Sequence, residues 1–208
     1  MKKIILSILS LTILIISAAS NAVSIKIGTE GAYPPWNNLN SAGELEGAEI
    51  DFGNEACKRM SADCEWVTQD WDGIIPALLN GKYDIIVAGM SITEERKEKV
   101  NFTKGYMTDG ARFAVLSSSG LANLKVSGMD KVNLNNAGGK EQAAIGQLIA
   151  AMQGKTVCVQ SSTIHQNFLE KHMAGAVEVS LYQSVDDHNL DLAAGRCDAI
   201  LADVGAII

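Results

Sequence analysis

Apolar and polar residues follow two alternating patterns along the chain. Short apolar runs predict six β-strands, at 25–28, 65–68, 85–88, 112–116, 156–160 and 199–202. Longer segments, in which apolar residues recur every three or four positions, predict helices at 49–60, 71–79, 94–100, 141–153, 163–172 and 185–194. Gly81 and Gly195 follow two of these helices, where a C-terminal cap is expected. Alternating strands and helices favour parallel sheets with right-handed crossovers, so the sequence predicts an α/β fold.

The predicted elements fall into two groups along the chain. Residues 117–139 are rich in Ser, Gly and Asn and are interpreted as a loop-like insertion after the first group of strands. We predict two α/β lobes, residues 23–110 and residues 111–208, with the chain passing between them near residues 106–113.

The amino-terminal segment, residues 1–22, has the features of a secretory signal peptide. Two lysines precede an apolar run at 4–16 that is too short to span a bilayer, and small residues follow at Ser20 and Ala22. We expect cleavage of this segment and export to the periplasm, with an uncleaved anchor as the alternative. The composition, with 47% hydrophobic and 20% charged residues, is that of an ordinary globular chain.

The net charge of the chain bears on its partners. There are 17 basic and 24 acidic residues, which gives a formal net charge of −7, and loss of the two leader lysines would make it −9. So acidic a chain lacks the basic surface that a phosphate backbone requires, and we expect no nucleic-acid partner. The acidity is compatible with a cationic small ligand.

The predicted export makes the four cysteines informative. Cys57 and Cys64 are seven positions apart, and in an oxidising compartment they favour a disulfide, worth about 2.5 kcal/mol, over a zinc site, which needs tighter pairs. Cys158 and Cys197 both lie in apolar segments. For these two we favour buried thiols over a second disulfide, because a bond within one sheet demands unusual geometry.

Polar residues follow several of the predicted strands. In open parallel sheets, ligands bind at the carboxyl ends of the strands. The polar residues at those ends are Glu30, Trp71, Ser91, the segment 161–163 and Asp203. The topology alone is therefore expected to bring carboxylates, an aromatic ring and hydroxyl groups together at one edge.

Arg96 lies in the first turn of the helix predicted at 94–100. Thr93 is placed to cap this helix, and an arginine at this end opposes the helix dipole, which favours anions there. An arginine beside free helix N–H groups is suited to bind a carboxylate. The alternative is that Glu94 and Glu95 neutralise Arg96 in a surface cluster.

Several segments resemble the polar amino-acid-binding proteins of bacterial ABC importers. They are IKIGTEGAYPPW at 25–36, ELEGAEID at 44–51, YDIIVAGMSITEER at 83–96, and the stretches at 159–163 and 189–203. The resemblance is greatest to binders of lysine, arginine, ornithine or histidine and to the opine binders. It implies a two-lobed clamshell of the type II periplasmic-binding fold, which closes on its ligand and serves a membrane permease. It also supports a disulfide between Cys57 and Cys64, and we expect a monomer.

The resemblance implies a role for each residue around the α-carbon of an amino-acid ligand. By position, Arg96 is expected to hold the ligand α-carboxylate, assisted by Ser91 and by backbone N–H groups near Gly89 and Thr163. Asp203 matches the residue that accepts the ligand α-ammonium group.

The resemblance also implies where the ligand side chain lies. Tyr33 and Trp71 match the two walls that sandwich it, while Glu30 and Glu49 match positions that, when acidic, hold a cationic end. A cation between aromatic faces is stabilised, and two carboxylates offset its desolvation. The alternatives are a plain structural turn at 33–36 and a solvated acid at a helix start for Glu49.

The sequence departs from these relatives in three respects. Ala88 and Gly89 replace paired serines of the histidine-type binders, which removes two hydroxyl donors. Residues 117–139 and 188–192 look like the opine binders, so an opine (octopine or nopaline) is the alternative to arginine, lysine or ornithine. The chain ends at Ile208, where relatives continue, and we expect the carboxy-terminal part of the fold to be missing.

Two other classes of protein remain as alternatives. A cyclohexadienyl-dehydratase-like enzyme needs a protonated carboxyl group as its general acid, and neither Glu30 nor Asp203 shows a reason to be protonated, so we predict no enzyme. A ligand-sensing receptor module would need a transmembrane segment, and none is evident. His165 is expected at the surface, with a position lining the cleft beside Thr163 as the alternative, and it is too far from His172 to share a metal with it. We therefore predict no metal and no other cofactor.

Overall fold

The computed structural model describes residues 23–126 and 138–207. The signal peptide predicted at 1–22 and residues 127–137 of the insertion predicted at 117–139 lie outside these ranges. Within the two described ranges, no helix has the length and apolar content needed to cross a membrane.

The first group of elements, which we call the first lobe, is built on a parallel sheet. Its elements are β1 (Ser24–Thr29), β2 (Ala32–Tyr33), β3 (Asn37–Leu39), β4 (Leu45–Glu46), α1 (Ala48–Met60), β5 (Asp63–Thr68), a 3₁₀ turn (Trp71–Gly73), α2 (Ile74–Leu79), β6 (Ile85–Ile86) and α3 (Glu94–Lys97). The parallel strands have the order β5-β1-β6, and β2, β3 and β4 form a small antiparallel sheet.

The core of the first lobe is tightly packed around β1. Ile27 of this strand is buried and contacts Cys57 of α1. A Cβ atom at Gly28 would lie 2.5 Å from the ring of Tyr83. The Tyr83 ring is itself buried, and its hydroxyl donates a hydrogen bond to the carbonyl of Ile74, so it has little freedom to move away. Glycine is therefore required at this position of β1.

The second lobe is built on a mixed four-stranded sheet. Its elements are β7 (Ala111–Ala114), α4 (Gly139–Ala151), β8 (Thr156–Gln160), α5 (Ile164–His172), β9 (Glu178–Tyr182), α6 (Val185–Ala193), β10 (Ala199–Asp203) and a second 3₁₀ turn (Val204–Ala206). The strand order is β7-β10-β8-β9, with β7 antiparallel to β10 and the other pairs parallel. Fully buried Val157, Val159 and Leu169 lie at its core. The lobe boundary at residues 110 and 111 stays a prediction, although β7 already pairs within the second sheet.

The α/β fold class is confirmed, and most of the predicted elements are present with small shifts of their ends. The helix predicted at 71–79 is divided into the 3₁₀ turn and α2, and the helix predicted at 94–100 is reduced to the single turn of α3. Strand β9 was not predicted, because polar residues at Glu178 and Ser180 interrupt its apolar run. Gly81 and Gly195 both adopt φ of +73°, as their expected role after a helix requires.

Two disulfides join the four cysteines. Cys57 is bonded to Cys64 with their Cα atoms 6.2 Å apart, which confirms the predicted pair. Cys158 is bonded to Cys197 with their Cα atoms 5.9 Å apart, so the prediction of two buried thiols is wrong. Cys197 lies in the loop between α6 and β10 and not in a strand. The geometric restriction on bonds within a sheet therefore does not apply to this pair.

We expect the Cys158–Cys197 disulfide to stabilise the fold more than the Cys57–Cys64 disulfide. The bonded residues are 39 positions apart in the first case and 7 in the second. Loop-closure entropy then gives about 4 and about 2.5 kcal/mol, respectively. Replacing both Cys158 and Cys197 by alanine should lower the Tm more than the same change at Cys57 and Cys64, measured by thermal unfolding. A larger decrease for the second pair would contradict the expectation.

Candidate functional site

A cavity lies between the two lobes, at the carboxyl ends of β1, β8 and β10. It encloses about 450 Å³ of space between the atoms, part of it open to solvent. Eight of the residues predicted to bind a ligand line it: Glu30, Tyr33, Trp71, Gly89, Ser91, Arg96, Thr163 and Asp203. The structure thus brings these residues together, and their contact with a ligand stays a prediction.

The sheet topology explains why residues so distant in sequence meet at this cavity. Glu30 directly follows β1, and Trp71 opens the 3₁₀ turn that follows β5. In the second lobe, Thr163 lies between β8 and α5, and Asp203 is the last residue of β10. Parallel strands direct their carboxyl ends to the same edge of a sheet, so each lobe contributes one wall of the cleft.

Arg96 is held in place at the cavity by both lobes. Thr93 caps α3 by accepting a hydrogen bond from the Arg96 N–H at 3.1 Å, as the sequence predicted. The guanidinium donates from Nη1 to the carbonyl of Ser91 (2.9 Å) and from Nη2 to the carbonyl of Ser162 (3.1 Å). Its Cζ lies 5.3 Å from the centre of the Trp71 ring, a cation–π distance. Burial lowers the pKa of Arg96, which remains a cation because its ordinary pKa is so high.

Asp203 lies opposite, on the wall formed by the second lobe. Its Oδ2 accepts a hydrogen bond from the Tyr33 hydroxyl at 2.6 Å, and its Oδ1 lies 3.3 Å from Nε2 of His165, an ion-pair distance without the alignment of a hydrogen bond. Burial acts to raise the pKa of Asp203, but the interactions with His165 and Tyr33 outweigh it and hold the pKa below its usual value. Asp203 is therefore an anion at neutral pH. His165 is only 7% exposed, so its expected surface position is wrong.

Glu30 differs from Asp203 in its protonation. Its side chain is buried, and Oε1 accepts a hydrogen bond from Nε2 of Gln160 at 2.6 Å. Burial raises the pKa of Glu30 to about 7, although the Gln160 hydrogen bond acts against this shift. Our expectation that Glu30 has no reason to be protonated is therefore wrong. At neutral pH, this carboxyl group is therefore partly protonated.

Glu49 does not line the cavity, so the structure does not place it with the other eight residues, and its contact with a ligand stays a prediction. It is 2% exposed, so it is not a solvated acid at a helix start either. Oε2 accepts a hydrogen bond from Nδ2 of Asn37 (2.7 Å), and Oε1 accepts from the Gly89 N–H (2.7 Å) and from the Tyr106 hydroxyl. A buried carboxylate must find such donors. Its oxygens are thus engaged by the first lobe and by the segment before β7.

Gly89 lines the cavity, but its N–H group is already bonded to Glu49 and is not free for a ligand carboxylate. Its φ is +58°, and a Cβ atom there would lie 2.7 Å from Cε1 of Tyr33. A serine at this position would therefore be strained and would also displace the Tyr33 ring. This close approach favours glycine at this position.

Three further polar residues line the cavity: Gln160, His165 and His188. Of these, only His165 was considered for the cleft from the sequence, as the alternative to a surface position. His188 is fully buried, and neither ring nitrogen has a hydrogen-bond partner within the described residues. Burial lowers the pKa of His188 to about 4, so the ring is neutral at pH 7. Its position on the same face of α6 as Val185 and Leu192, all three buried, is the signal that could have identified it.

The chemistry of the cavity suits a small molecule that carries both signs of charge. Arg96 offers N–H donors to an anion, while Asp203 and Glu30 offer oxygens to cations. Among the described residues, no group of three or more His, Cys, Asp or Glu side chains is arranged to hold a metal ion.

The sequence profile of the bacterial extracellular solute-binding proteins, family 3, matches residues 25–158. The chain is 42% identical over 185 residues to the octopine-binding periplasmic protein of Rhizobium meliloti, covering 89% of this chain and 63% of that protein. It is 35% identical over 205 residues to the L-arginine-binding protein of Pseudomonas aeruginosa, covering 98% of this chain and 70% of the relative. This chain thus spans less than two thirds of the length of the octopine-binding protein.

Solved structures show the same fold. A His/Glu/Gln/Arg/opine family-binding protein from Silicibacter pomeroyi, in complex with lysine, has a TM-score of 0.67 and 34% identity, covering 88% of this chain and 69% of that one. The ancestral amino acid-binding protein AncCDT-1, a precursor of cyclohexadienyl dehydratase, has a TM-score of 0.70 and 28% identity, covering 88% of this chain and 72% of that one. Both likenesses support the type II clamshell fold expected from the sequence.

Proposed function

Because the chain belongs to the bacterial extracellular solute-binding proteins, family 3, we propose that it binds a cationic amino acid of the arginine, lysine or ornithine type between its lobes. In this proposal it is a periplasmic protein that delivers the ligand to the permease of an ABC importer. The observation that carries the proposal is the placement of Arg96 and Asp203 on opposite walls of one cavity.

These two side chains match the two charges of an α-amino acid. In the proposed complex, the α-carboxylate takes the remaining N–H donors of Arg96, which is already oriented by the Ser91 carbonyl and the Trp71 ring. The α-ammonium group binds Asp203, whose charge Tyr33 and His165 maintain. An amino acid held in this way bridges the two lobes and favours the closed cleft.

The side chain of the ligand is proposed to end near Glu30. A guanidinium or ammonium group there would stabilise the carboxylate form of Glu30 and replace the Gln160 amide as its partner. Tyr33 and Trp71 would provide aromatic walls for the intervening methylene groups.

An opine such as octopine is the second candidate, and two observations favour it. The octopine-binding relative has 42% identity to this chain. His188 also places two unpartnered ring nitrogens at the cavity, where an additional polar group of a larger ligand could bond.

Catalysis is not proposed. The relatives named above are binding proteins. The raised pKa of Glu30 gives the cavity one protonated carboxyl group, which a dehydratase would use as an acid. Turnover of prephenate by the purified protein would establish that function instead.

We expect arginine, lysine, ornithine or octopine to raise the Tm of the purified protein. A ligand at 100 times its Kd adds about 2.7 kcal/mol to the stability of the folded state. Thermal unfolding in the presence of these compounds, histidine and glutamate ranks their affinities. Glutamate is expected to rank below arginine, because its side-chain carboxylate would lie beside the carboxyl group of Glu30. If glutamate raises the Tm more than arginine does, the assignment of the cationic end is wrong.

Replacing Arg96 by alanine should weaken binding by roughly 2–5 kcal/mol, because the ligand carboxylate would lose its charged partner in a closed cleft. Arg96→Lys should lose much of the same affinity, since a point charge cannot reproduce the planar guanidinium. Isothermal titration measures both Kd values. Arg59→Ala, at an exposed ion pair on α1, is the matched control and should bind like the wild type. Binding by Arg96→Ala within threefold of the wild type would remove the anchor from the proposal.

The affinity for arginine should decrease as the pH is lowered, because Glu30 becomes protonated. Its pKa is about 7, and only the carboxylate attracts a cation. Protons therefore compete with the ligand, and Kd should rise about thirtyfold between pH 8 and pH 5.5. Glu30→Gln should bind weakly at pH 8 and lose this slope. A slope that persists unchanged in Glu30→Gln would assign the pH dependence to another group.

A further inference from the structure

Two adjacent residues of the first lobe meet two adjacent residues of the second lobe at the edge of the cleft. The hydroxyl of Ser161 lies 2.9 Å from each carboxylate oxygen of Asp72, to which it donates a hydrogen bond. Beside this pair, Nε1 of Trp71 donates to the carbonyl of Ser162 at 3.1 Å. The 3₁₀ turn after β5 and the loop after β8 are thus joined by two parallel contacts.

Each lobe holds its side of this contact by local bonds. Ser161 follows β8 directly, and its N–H donates to the carbonyl of Tyr182 in β9 (2.9 Å). Ser162 adopts a φ of +56°, and its N–H donates to Oε1 of Gln166 in α5 (2.7 Å). In this conformation the Ser162 carbonyl accepts the hydrogen bond from Trp71 of the first lobe. The second lobe therefore presents both acceptor and donor in a conformation that its own bonds maintain.

Asp72 and Ser161 differ from the other contacts across the cleft in one respect. Tyr33 with Asp203, and Gln160 with Glu30, are pairs whose members line the cavity, where a ligand would compete for them. Neither Asp72 nor Ser161 lines the cavity, so a ligand need not break their bond.

We infer that Asp72 and Ser161 are positioning residues that set ligand affinity by holding the cleft closed, without touching the ligand. The inference rests on the proposed function. A ligand that binds the closed form has an apparent Kd that depends on the population of that form. A hydrogen bond present only in the closed form raises this population. Its removal weakens every ligand by the same factor.

The size of the effect follows from the type of bond. A hydrogen bond to a charged group is among the stronger ones, but Asp72 is exposed and Ser161 is half-buried, and water reduces its strength. We expect Ser161→Ala and Asp72→Ala each to raise Kd by about threefold to tenfold. The increase should lie mainly in the dissociation rate, because opening the cleft releases the ligand.

The experiment measures Kd and the dissociation rate of arginine and of octopine for the wild type, Ser161→Ala, Asp72→Ala and the double variant. Asp63→Ala, which removes an exposed carboxylate elsewhere on the first lobe, is the control. We expect equal factors for both ligands, and no further loss in the double variant because its two changes remove one bond. Kd values within 1.5-fold of the wild type, factors that differ between ligands, or additive losses would each overturn the inference.

A wild type that binds neither compound would contradict the proposed function and leave the inference about Asp72 and Ser161 to a second measurement. Small-angle scattering of the empty proteins then compares their radii of gyration. We expect Ser161→Ala and Asp72→Ala to be more open than the wild type and Asp63→Ala to match it. Equal radii of gyration in all four proteins would overturn the inference by itself.

Discussion

A buried carboxylate is stable only when donors surround it, and the first wall of the cleft depends on how Glu49 meets this condition. Glu49 accepts hydrogen bonds from Asn37 and from the N–H of Gly89. Asn37 in turn accepts from the N–H of Gly31, the neighbour of Glu30. One charge at the start of α1 thus fixes the two loops that carry Glu30 and Gly89.

The same carboxylate also reaches the segment that leads into the second lobe. The hydroxyl of Tyr106 donates to Glu49, and the ring of Tyr106 stacks on Phe52 of α1 with centroids 5.3 Å apart. Burial is the largest cause that raises the pKa of Tyr106, followed by its bond to Glu49, so the hydroxyl stays a donor at neutral pH. Glu49 therefore accepts hydrogen bonds both from the wall of the cavity and from the connection between the lobes.

The sequence predicted which residues line the cavity better than it predicted the contacts that hold those residues in place. Positions at strand ends, such as Glu30 and Asp203, follow from the sheet topology, which the apolar pattern already contains. The surroundings of Glu49 were not predicted, because no local pattern shows that Asn37, Gly89 and Tyr106 converge on it. These donors are 12 to 57 positions away in sequence, so their meeting depends on tertiary packing.

The same limit applies to the cysteines and the histidines. The seven-residue spacing of Cys57 and Cys64 allowed only a short loop, and that pair was predicted. The strand predicted at 199–202 already left Cys197 outside β10, so the error lay in applying a restriction on bonds within a sheet to a residue of the preceding loop. His165 lies in α5, and its burial depends on its approach to Asp203 of β10. The two errors, on the Cys158–Cys197 pair and on the position of His165, concern contacts between elements and not the elements themselves.

The hydrogen bonds across the cleft also determine which ligands can bind in it. Asp203 accepts a hydrogen bond from Tyr33, Glu30 accepts one from Gln160, and Arg96 donates one to the carbonyl of Ser162. A ligand that separates these partners must replace each bond with one of comparable strength, because an unpaired buried polar group costs more than a hydrogen bond gains. Under the proposed function, a cationic amino acid offers a carboxylate, an ammonium group and a second cation. An apolar amino acid would leave Glu30 without a charged partner, so selectivity arises from the bonds that the ligand must replace as much as from those it makes.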